Sequence, residues 1–154
     1  MKTKHTLSII AALVLSASAL FAKPIAGPKG GRILTATAPH AEFFVDASRN
    51  VVISFYDADL KPVSPTDQVA IVTAEAPSGK AKLEFAIKDG ALVSVAPLPA
   101  GDGYRVVVQL KANATAKPTN YRVEYHAEVC GECKRAEYAC TCTEAGGDHS
   151  GHGH

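Results

Sequence analysis

Residues 81–96, AKLEFAIKDGALVSVA, decide the fold class of this chain. Apolar and polar residues alternate on both sides of Asp89-Gly90, which is the period-two pattern of a strand with one buried face. An Asp-Gly pair suits the tip of a type I′ turn, because both central residues of that turn need positive φ angles. The segment therefore predicts a β-hairpin with strands Ala81–Lys88 and Ala91–Ala96. The inward face of its first strand is predicted to contain Ala81, Leu83, Phe85 and Ile87.

Short segments with the same alternation lie on both sides of this hairpin. No long segment shows the 3.6-residue period of an amphipathic helix. About seven or eight strands in roughly 100 residues, each with one apolar face, suit two sheets packed face to face. The sequence thus predicts an all-β fold, an antiparallel β-sandwich of immunoglobulin-like architecture, with a small barrel as the alternative. The other predicted strands are Ile33-Leu34, Glu42–Asp46, Val51–Tyr56, Gln68–Thr73, Tyr104–Leu110 and Tyr121–Tyr125.

The N-terminus has the layout of a secretory signal peptide. Lys2 and Lys4 precede a short apolar run from Leu7 to Leu20, and small residues allow cleavage after Ala19 or Ala22. The run is shorter than the roughly 20 apolar residues that a membrane span needs. We therefore expect an exported, periplasmic protein without a membrane span after cleavage. The predicted organisation is a signal peptide (1–22), a lead-in segment (23–32), a β-sandwich (33–128) and a disordered or loosely ordered Cys/His-rich tail (129–154).

The composition excludes several classes of function. Lys and Arg number 16 against 15 Asp and Glu, and this balance argues against a nucleic-acid-binding protein, which normally has a basic excess. The sequence contains no Gly-rich phosphate loop followed by Lys, no serine nucleophile elbow and no paired acidic motif. We therefore do not expect an enzyme.

All four cysteines lie in the segment VCGECKRAEYACTC, residues 129–142. Cys130 and Cys133 form a CxxC motif, and Cys140 and Cys142 form a CxC motif. Thiolates converging on one ion suit tetrahedral Zn(II) or low-coordinate Cu(I). The four cysteines are therefore predicted to bind a soft metal ion, Zn or Cu.

Two other interpretations of the cysteines stay open. In an exported protein they could form two disulfides, and pairing across the two motifs is favoured because a Cys140–Cys142 bridge closes a small, strained ring. Cys130 and Cys133 could also be a redox pair, although a thioredoxin-like enzyme needs a βαβ context that the sequence does not contain.

Histidines extend the candidate metal site. His149, His152 and His154 lie in a Gly-rich end of the chain, where spaced imidazoles are typical of a low-affinity trap for Zn(II), Cu(II) or Ni(II). A solubilising tail or a cloning remnant is the alternative. His126, four residues before Cys130, could add a further ligand to the cluster.

Four stretches of the chain resemble a known exported domain. They are Gly30-Gly31-Arg32, PHAEFFV at 39–45, LKPV at 60–63 and the strand at 104–110. They are similar to a small β domain that occurs alone or at the N-terminus of periplasmic adaptor subunits of RND-type heavy-metal efflux pumps. The resemblance covers about residues 30–126 and implies a β-sandwich-like module in a metal-resistance setting. The resemblance does not by itself identify ligands; the matching positions are His40 and Glu42, which share one strand face and could join a surface metal site. A solvated polar edge is the alternative.

The resemblance also limits the role of the chain. The helical hairpin and lipoyl-like parts of an adaptor have no counterpart here, so we expect a free-standing accessory protein. It would capture Zn or Cu or hand it on, possibly beside an efflux-pump component. The alternative is a protein-interaction module whose C-terminal segment is stapled by disulfides and has no metal role.

Overall fold

The structure is a computed structural model that describes residues 25–142. The signal peptide predicted at 1–22 lies outside these residues, and so do His149, His152 and His154. Within the described part of the chain, no helix is long and apolar enough to cross a membrane.

Ten β-strands in residues 25–142 form two antiparallel sheets. The first sheet has the order β1-β2-β3-β8-β7, and β4 pairs with the far end of β3; the second sheet has the order β10-β9-β5-β6. The predicted all-β, antiparallel fold is confirmed. The strands are β1 Arg32–Ile33, β2 His40–Val45, β3 Val51–Tyr56, β4 Pro62–Val63, β5 Val69–Ala76, β6 Gly79–Leu83, β7 Phe85–Lys88, β8 Ala91–Ser94, β9 Tyr104–Lys111 and β10 Thr119–Tyr125.

The core lies between the two sheets and follows from the period-two pattern. Every second residue of β5 is buried, and β9 shows the same alternation, because successive side chains of a strand point to opposite faces. Phe43 and Ile53 of the first sheet meet Val72, Val106 and Val123 of the second, and all five are fully buried. Burying one such side chain contributes about 1.5–3 kcal/mol.

The hairpin that indicates the fold class is present as β7 and β8. Its turn residues Asp89 and Gly90 have φ angles of 50° and 73°, as a type I′ turn requires. The prediction of one strand over Ala81–Lys88 is wrong, however, because β6 pairs with β5 in the second sheet and β7 pairs with β8 in the first. The chain crosses between the sheets at Glu84. Ile87, predicted to face inward, is 63% exposed.

A second hairpin joins β2 to β3. Its loop, residues 46–50, is held by the Asp46 carboxylate, which accepts hydrogen bonds from the backbone N–H groups of Ser48 and Asn50, each at 2.8 Å. Arg49 adopts a φ of 66° in this loop. The loop is therefore closed by the side chain of its own first residue.

Residues 129–142, which we call the cysteine segment, pack on the sandwich. The sequence predicts a loosely ordered tail from residue 129 onward, and the structure differs from this prediction up to residue 142. A short 3₁₀ helix, Glu137–Ala139, contacts β10 and β1. Tyr138 is buried against the core, and its burial explains why this part of the tail is held in place.

Candidate metal centre

The four cysteine side chains of the segment converge on one point. Their Sγ atoms all lie within 4.8 Å of one another. Cys130 and Cys140 are separated by 3.5 Å, Cys133 and Cys140 by 3.7 Å, and Cys130 and Cys142 by 3.8 Å. All four are free thiols, with Cys130 buried and the other three half-buried. The cysteines form a group that can hold a metal ion.

The sulfur spacing matches a tetrahedral tetrathiolate site. A Zn–S bond is about 2.3 Å long, so sulfurs at the corners of a tetrahedron are about 3.8 Å apart. The observed contacts of 3.5–3.8 Å are close to that value. A disulfide would need about 2.05 Å. The arrangement therefore fits a soft cation at the centre of four sulfurs.

A tight turn brings the two sulfurs of the CxxC motif together. The carbonyl of Cys130 accepts a hydrogen bond from the Lys134 N–H at 3.1 Å, and the Cys130 N–H donates to the Arg135 carbonyl at 2.7 Å. Lys134 has a φ of 58°, which lets the chain reverse, and Val129 and Ala136 form an antiparallel bridge behind it. The local backbone thus presents the CxxC motif as a closed loop.

The gap between the two motifs, residues 134–139, is anchored in the sandwich by Tyr138. The Tyr138 ring packs edge-on against Phe43, with centroids 5.6 Å apart, and lies at the same distance from Tyr125. Its hydroxyl oxygen accepts a hydrogen bond from the Val45 N–H at 3.0 Å. The gap therefore brings the CxC motif back towards the CxxC motif while one aromatic side chain fixes the loop.

Hydrogen bonds in the cluster favour one thiolate over the others. The backbone N–H groups of Thr141 and Arg135 lower the pKa of the Cys133 thiol to about 6. The Cys142 thiol donates hydrogen bonds to the side chains of Cys140 and Glu132, and these bonds, and then burial, raise its pKa. Sulfurs this close cannot all ionise without a cation, because like charges repel each other. A bound metal ion would supply that charge and displace the remaining protons.

The pKa of the Cys140 thiol is set by opposing effects. The backbone N–H of Cys142 has the largest single effect on its thiol and lowers the pKa, but burial and the hydrogen bonds with Cys130 and Cys133 together outweigh it. The pKa of Cys140 is therefore raised. Full deprotonation of the cluster at neutral pH would thus need a bound cation.

Glu42 has a different set of partners from the one its predicted metal role would need. Its buried carboxylate accepts hydrogen bonds from the backbone N–H groups of Lys29, at 3.0 Å, and Gly31, at 2.7 Å, and from the Tyr56 hydroxyl at 2.6 Å. His40 is also buried, with Nδ1 3.2 Å from the Thr35 carbonyl oxygen. Among residues 25–142, neither belongs to a group of three or more potential ligands.

His126 is likewise separate from the cysteines. Its exposed ring has Nδ1 3.2 Å from Asp102 Oδ2, and it is not a member of the cysteine group. Metal binding by His126, His40 and Glu42 therefore stays a prediction, without a ligand cluster in the described residues to support it.

Two residues that support the site were not among the predicted site residues. Tyr138 anchors the gap, and Arg135 donates through Nη1 to the Gly27 carbonyl at 3.2 Å, which links the cysteine segment to the lead-in segment. The signal for Tyr138 was present as a lone aromatic residue between two cysteine motifs. Arg135 had none, because its partner lies 108 positions away in the chain.

Comparisons of the chain with known proteins give no match. No protein-family model matches it, and the searches of curated proteins and of solved structures find no match either. The resemblance to adaptor modules of efflux pumps therefore stays an expectation that rests on residues 30–126 alone.

Proposed function

We propose that this chain is an exported metal-binding accessory protein whose four cysteines bind one Zn(II) ion. The observation that carries the proposal is the sulfur spacing, with contacts of 3.5–3.8 Å among four free thiols. Zn(II) is favoured over Cu(I) because four ligands around one point match the tetrahedral coordination of Zn(II), whereas Cu(I) is commonly coordinated by fewer thiolates.

The ligand count favours holding a metal over catalysis at the metal. Structural zinc sites have four protein ligands, whereas catalytic sites keep one position open for water or substrate. Four cysteines fill the tetrahedron, so the ion would have no free position. Three of the four cysteine residues are half-buried rather than fully buried, so the site would lie near the surface, where the ion could exchange with solution. These features support capture or transfer of a metal ion.

Two features of the sequence support the cellular setting of the proposal. The signal-peptide pattern at 1–22 supports export to the periplasm. The resemblance over residues 30–126 supports a link to a heavy-metal efflux system. The histidines at 149, 152 and 154 would serve as a weaker, auxiliary set of ligands.

A protein-interaction module is the competing proposal. It would use exposed apolar side chains of this region such as Ile87 in β7 and Val95 just after β8, which are 63% and 72% exposed, because exposed apolar surface can take part in protein contacts. In this version the cysteines would be disulfide staples. The two proposals differ in the state of the thiols.

Counting metal and thiols in the native protein separates the two proposals. We expect one zinc ion per chain by elemental mass spectrometry and four reactive thiols after chelation and denaturation. Replacing Cys133 and Cys142 by Ser should remove the ion, whereas the control His126→Ala should retain it. Deletion of residues 143–154 should leave this tightly bound ion in place. Native protein with neither free thiols nor metal would contradict zinc binding and favour the stapled module.

A further inference from the structure

The sulfur contacts in the cysteine segment also define a reaction. We propose that the zinc-bound cluster is oxidised by hydroperoxides to two disulfides, Cys130–Cys142 and Cys133–Cys140, and that this oxidation releases the metal while the fold is kept. The inference rests on the proposed zinc site. It adds the class of reactant and the two bonds that form.

The pairing follows from the sulfur contacts. Cys130 and Cys142 are 3.8 Å apart, and Cys133 and Cys140 are 3.7 Å apart, so this pairing joins two pairs already in contact. The alternative disulfide, Cys130–Cys140, joins the shortest contact, but it would leave Cys133 to pair with Cys142. Those two sulfurs lie within 4.8 Å of each other, which is a looser limit than the contact distances of the other pairs. Pairing within each motif would close the small ring of Cys140–Cys142.

The reaction balances with two hydroperoxide molecules for each zinc ion. In each pair one thiolate attacks a peroxide oxygen, the O–O bond breaks, and the sulfur becomes a sulfenic acid. The partner thiolate then attacks that sulfur and displaces hydroxide, so one S–S bond forms and the peroxide is reduced by two electrons. With hydrogen peroxide, four thiolates, two peroxides and four protons give two disulfides and four water molecules. Zn(II) leaves without a change of oxidation state, because disulfide sulfur carries no thiolate charge to hold it.

The position of each sulfur decides where oxidation starts. Cys133, Cys140 and Cys142 are half-buried, whereas Cys130 is 7% exposed. Each of the two pairs therefore contains at least one sulfur that a small peroxide can reach. Cys130 would act as the resolving thiol of its pair.

Oxidation would replace the zinc cross-link around residues 134–139 by a disulfide cross-link. Cys133 and Cys140 flank residues 134–139, whose Tyr138 is packed against Phe43 and Tyr125. A disulfide between these two cysteines closes the loop as the metal does, so Tyr138 stays in place. The result is release of the metal without unfolding of the segment.

The test uses the full-length mature protein, reduced without oxygen and loaded with one equivalent of zinc. Two equivalents of hydrogen peroxide are added, and zinc release is followed with a colorimetric chelator. We expect complete release, loss of all four thiols, unchanged hydrogen-exchange protection of the strands β5 and β9, and recovery of zinc binding after reduction. Cleavage after Glu132 and Glu137, with fragmentation of the linked peptides, should identify the bonds Cys130–Cys142 and Cys133–Cys140.

Paired variants provide the control. Cys130→Ser with Cys142→Ser leaves one contacting pair, and Cys133→Ser with Cys140→Ser leaves the other; each should form its disulfide with one equivalent of peroxide. Cys130→Ser with Cys133→Ser leaves only the CxC pair, which should close about tenfold more slowly. Zinc that stays bound after peroxide, or bonds within the motifs, would overturn this inference. Reduced protein that never binds zinc would contradict the proposed function itself.

Discussion

At the scale of single residues, the Glu42 carboxylate holds the lead-in segment against β2. Backbone N–H groups from the 27–31 turn surround it, and the Tyr56 hydroxyl donates to its other oxygen. Burial, and then the hydrogen bond to Glu42, raise the pKa of Tyr56, so its hydroxyl stays protonated and continues to donate. A Cβ on Gly27 would overlap Glu42 Oε1, and one on Gly31 would overlap the Phe43 carbonyl. The close approach of backbone and carboxylate thus requires glycine at both positions.

Glu42→Gln is expected to destabilise the fold by about 1–3 kcal/mol, because an amide nitrogen would face N–H donors in a buried site. Urea unfolding measures the change, and zinc content should stay at the wild-type value. The control Glu124→Gln removes an exposed partner of Arg105 and should leave the urea midpoint unchanged. Loss of zinc from Glu42→Gln at unchanged stability would instead assign Glu42 to the metal site.

Cys133 should be the first thiol to react in the reduced, metal-free protein. Because its pKa is lowered to about 6 by the N–H groups of Thr141 and Arg135, its thiolate predominates above pH 6, and only the thiolate is alkylated rapidly. The raised pKa of Cys142 keeps that thiol protonated at neutral pH. Mass spectrometry after brief iodoacetamide treatment at pH 7 should find the label on Cys133. Equal labelling of the two residues would show that these hydrogen bonds do not control reactivity.

At the scale of elements, the cysteine segment combines ligands and an anchor in one short stretch. Tyr138 lies between the two cysteine motifs and reaches Val45, 93 positions earlier in the chain. Holding residues 134–139 against the sandwich reduces the entropy that metal binding must remove. The anchor should therefore contribute both to stability and to metal affinity.

Substitutions of Tyr138 separate the contribution of its ring from that of its hydroxyl. Tyr138→Ala should cost about 3–5 kcal/mol through the cavity it leaves and should weaken zinc binding. Tyr138→Phe keeps the ring and removes only the acceptor for the Val45 N–H, so the cost should be about 0.5–1.5 kcal/mol with little change in affinity. Thermal unfolding and competition with a zinc chelator measure the two effects. Equal behaviour of the two variants would contradict an anchoring role for the ring.

The positions of most strands can be predicted from the sequence, but which strands pair with one another cannot. Alternation alone gives Val51–Tyr56 with the bounds found in the structure, because each residue's position on a face depends on its neighbours in the chain. The same alternation runs on through Glu84, where the chain leaves one sheet for the other. No local pattern marks this crossing, since both sheets accept the same period of two. The exposed position of Ile87 is the consequence.

At the scale of the whole molecule, the cysteine segment lies against β10 and β1, at one side of the two sheets. The core cluster is built from residues of both sheets; it includes Tyr138 and Ala139 of the cysteine segment but none of the four cysteines. The cysteine spacing identifies the candidate ligands from sequence alone. Their packing on the sandwich could not be predicted, because it depends on contacts such as that of Tyr138 with Phe43, which are distant in the chain.

Removal of the metal should loosen the segment and leave the sandwich folded. A ligand that binds only the native state stabilises it by mass action, so zinc should raise Tm, and chelation should lower it without changing the strand content seen by far-ultraviolet circular dichroism. Hydrogen exchange should increase at residues 129–142 and not in β5 or β9. Global unfolding on chelation would show that the core depends on the ion.

The affinity for zinc should fall in acid, most steeply below pH 6, because protons compete with zinc for the thiolates, Cys133 included.

The most direct test of the account is X-ray absorption at the zinc edge on the reduced, zinc-loaded protein. We predict four sulfur neighbours at about 2.3 Å and no nitrogen or oxygen in the coordination shell. A shell that contains nitrogen or oxygen, or a native protein whose four cysteines are already joined as disulfides and take up no zinc, would contradict the tetrathiolate site.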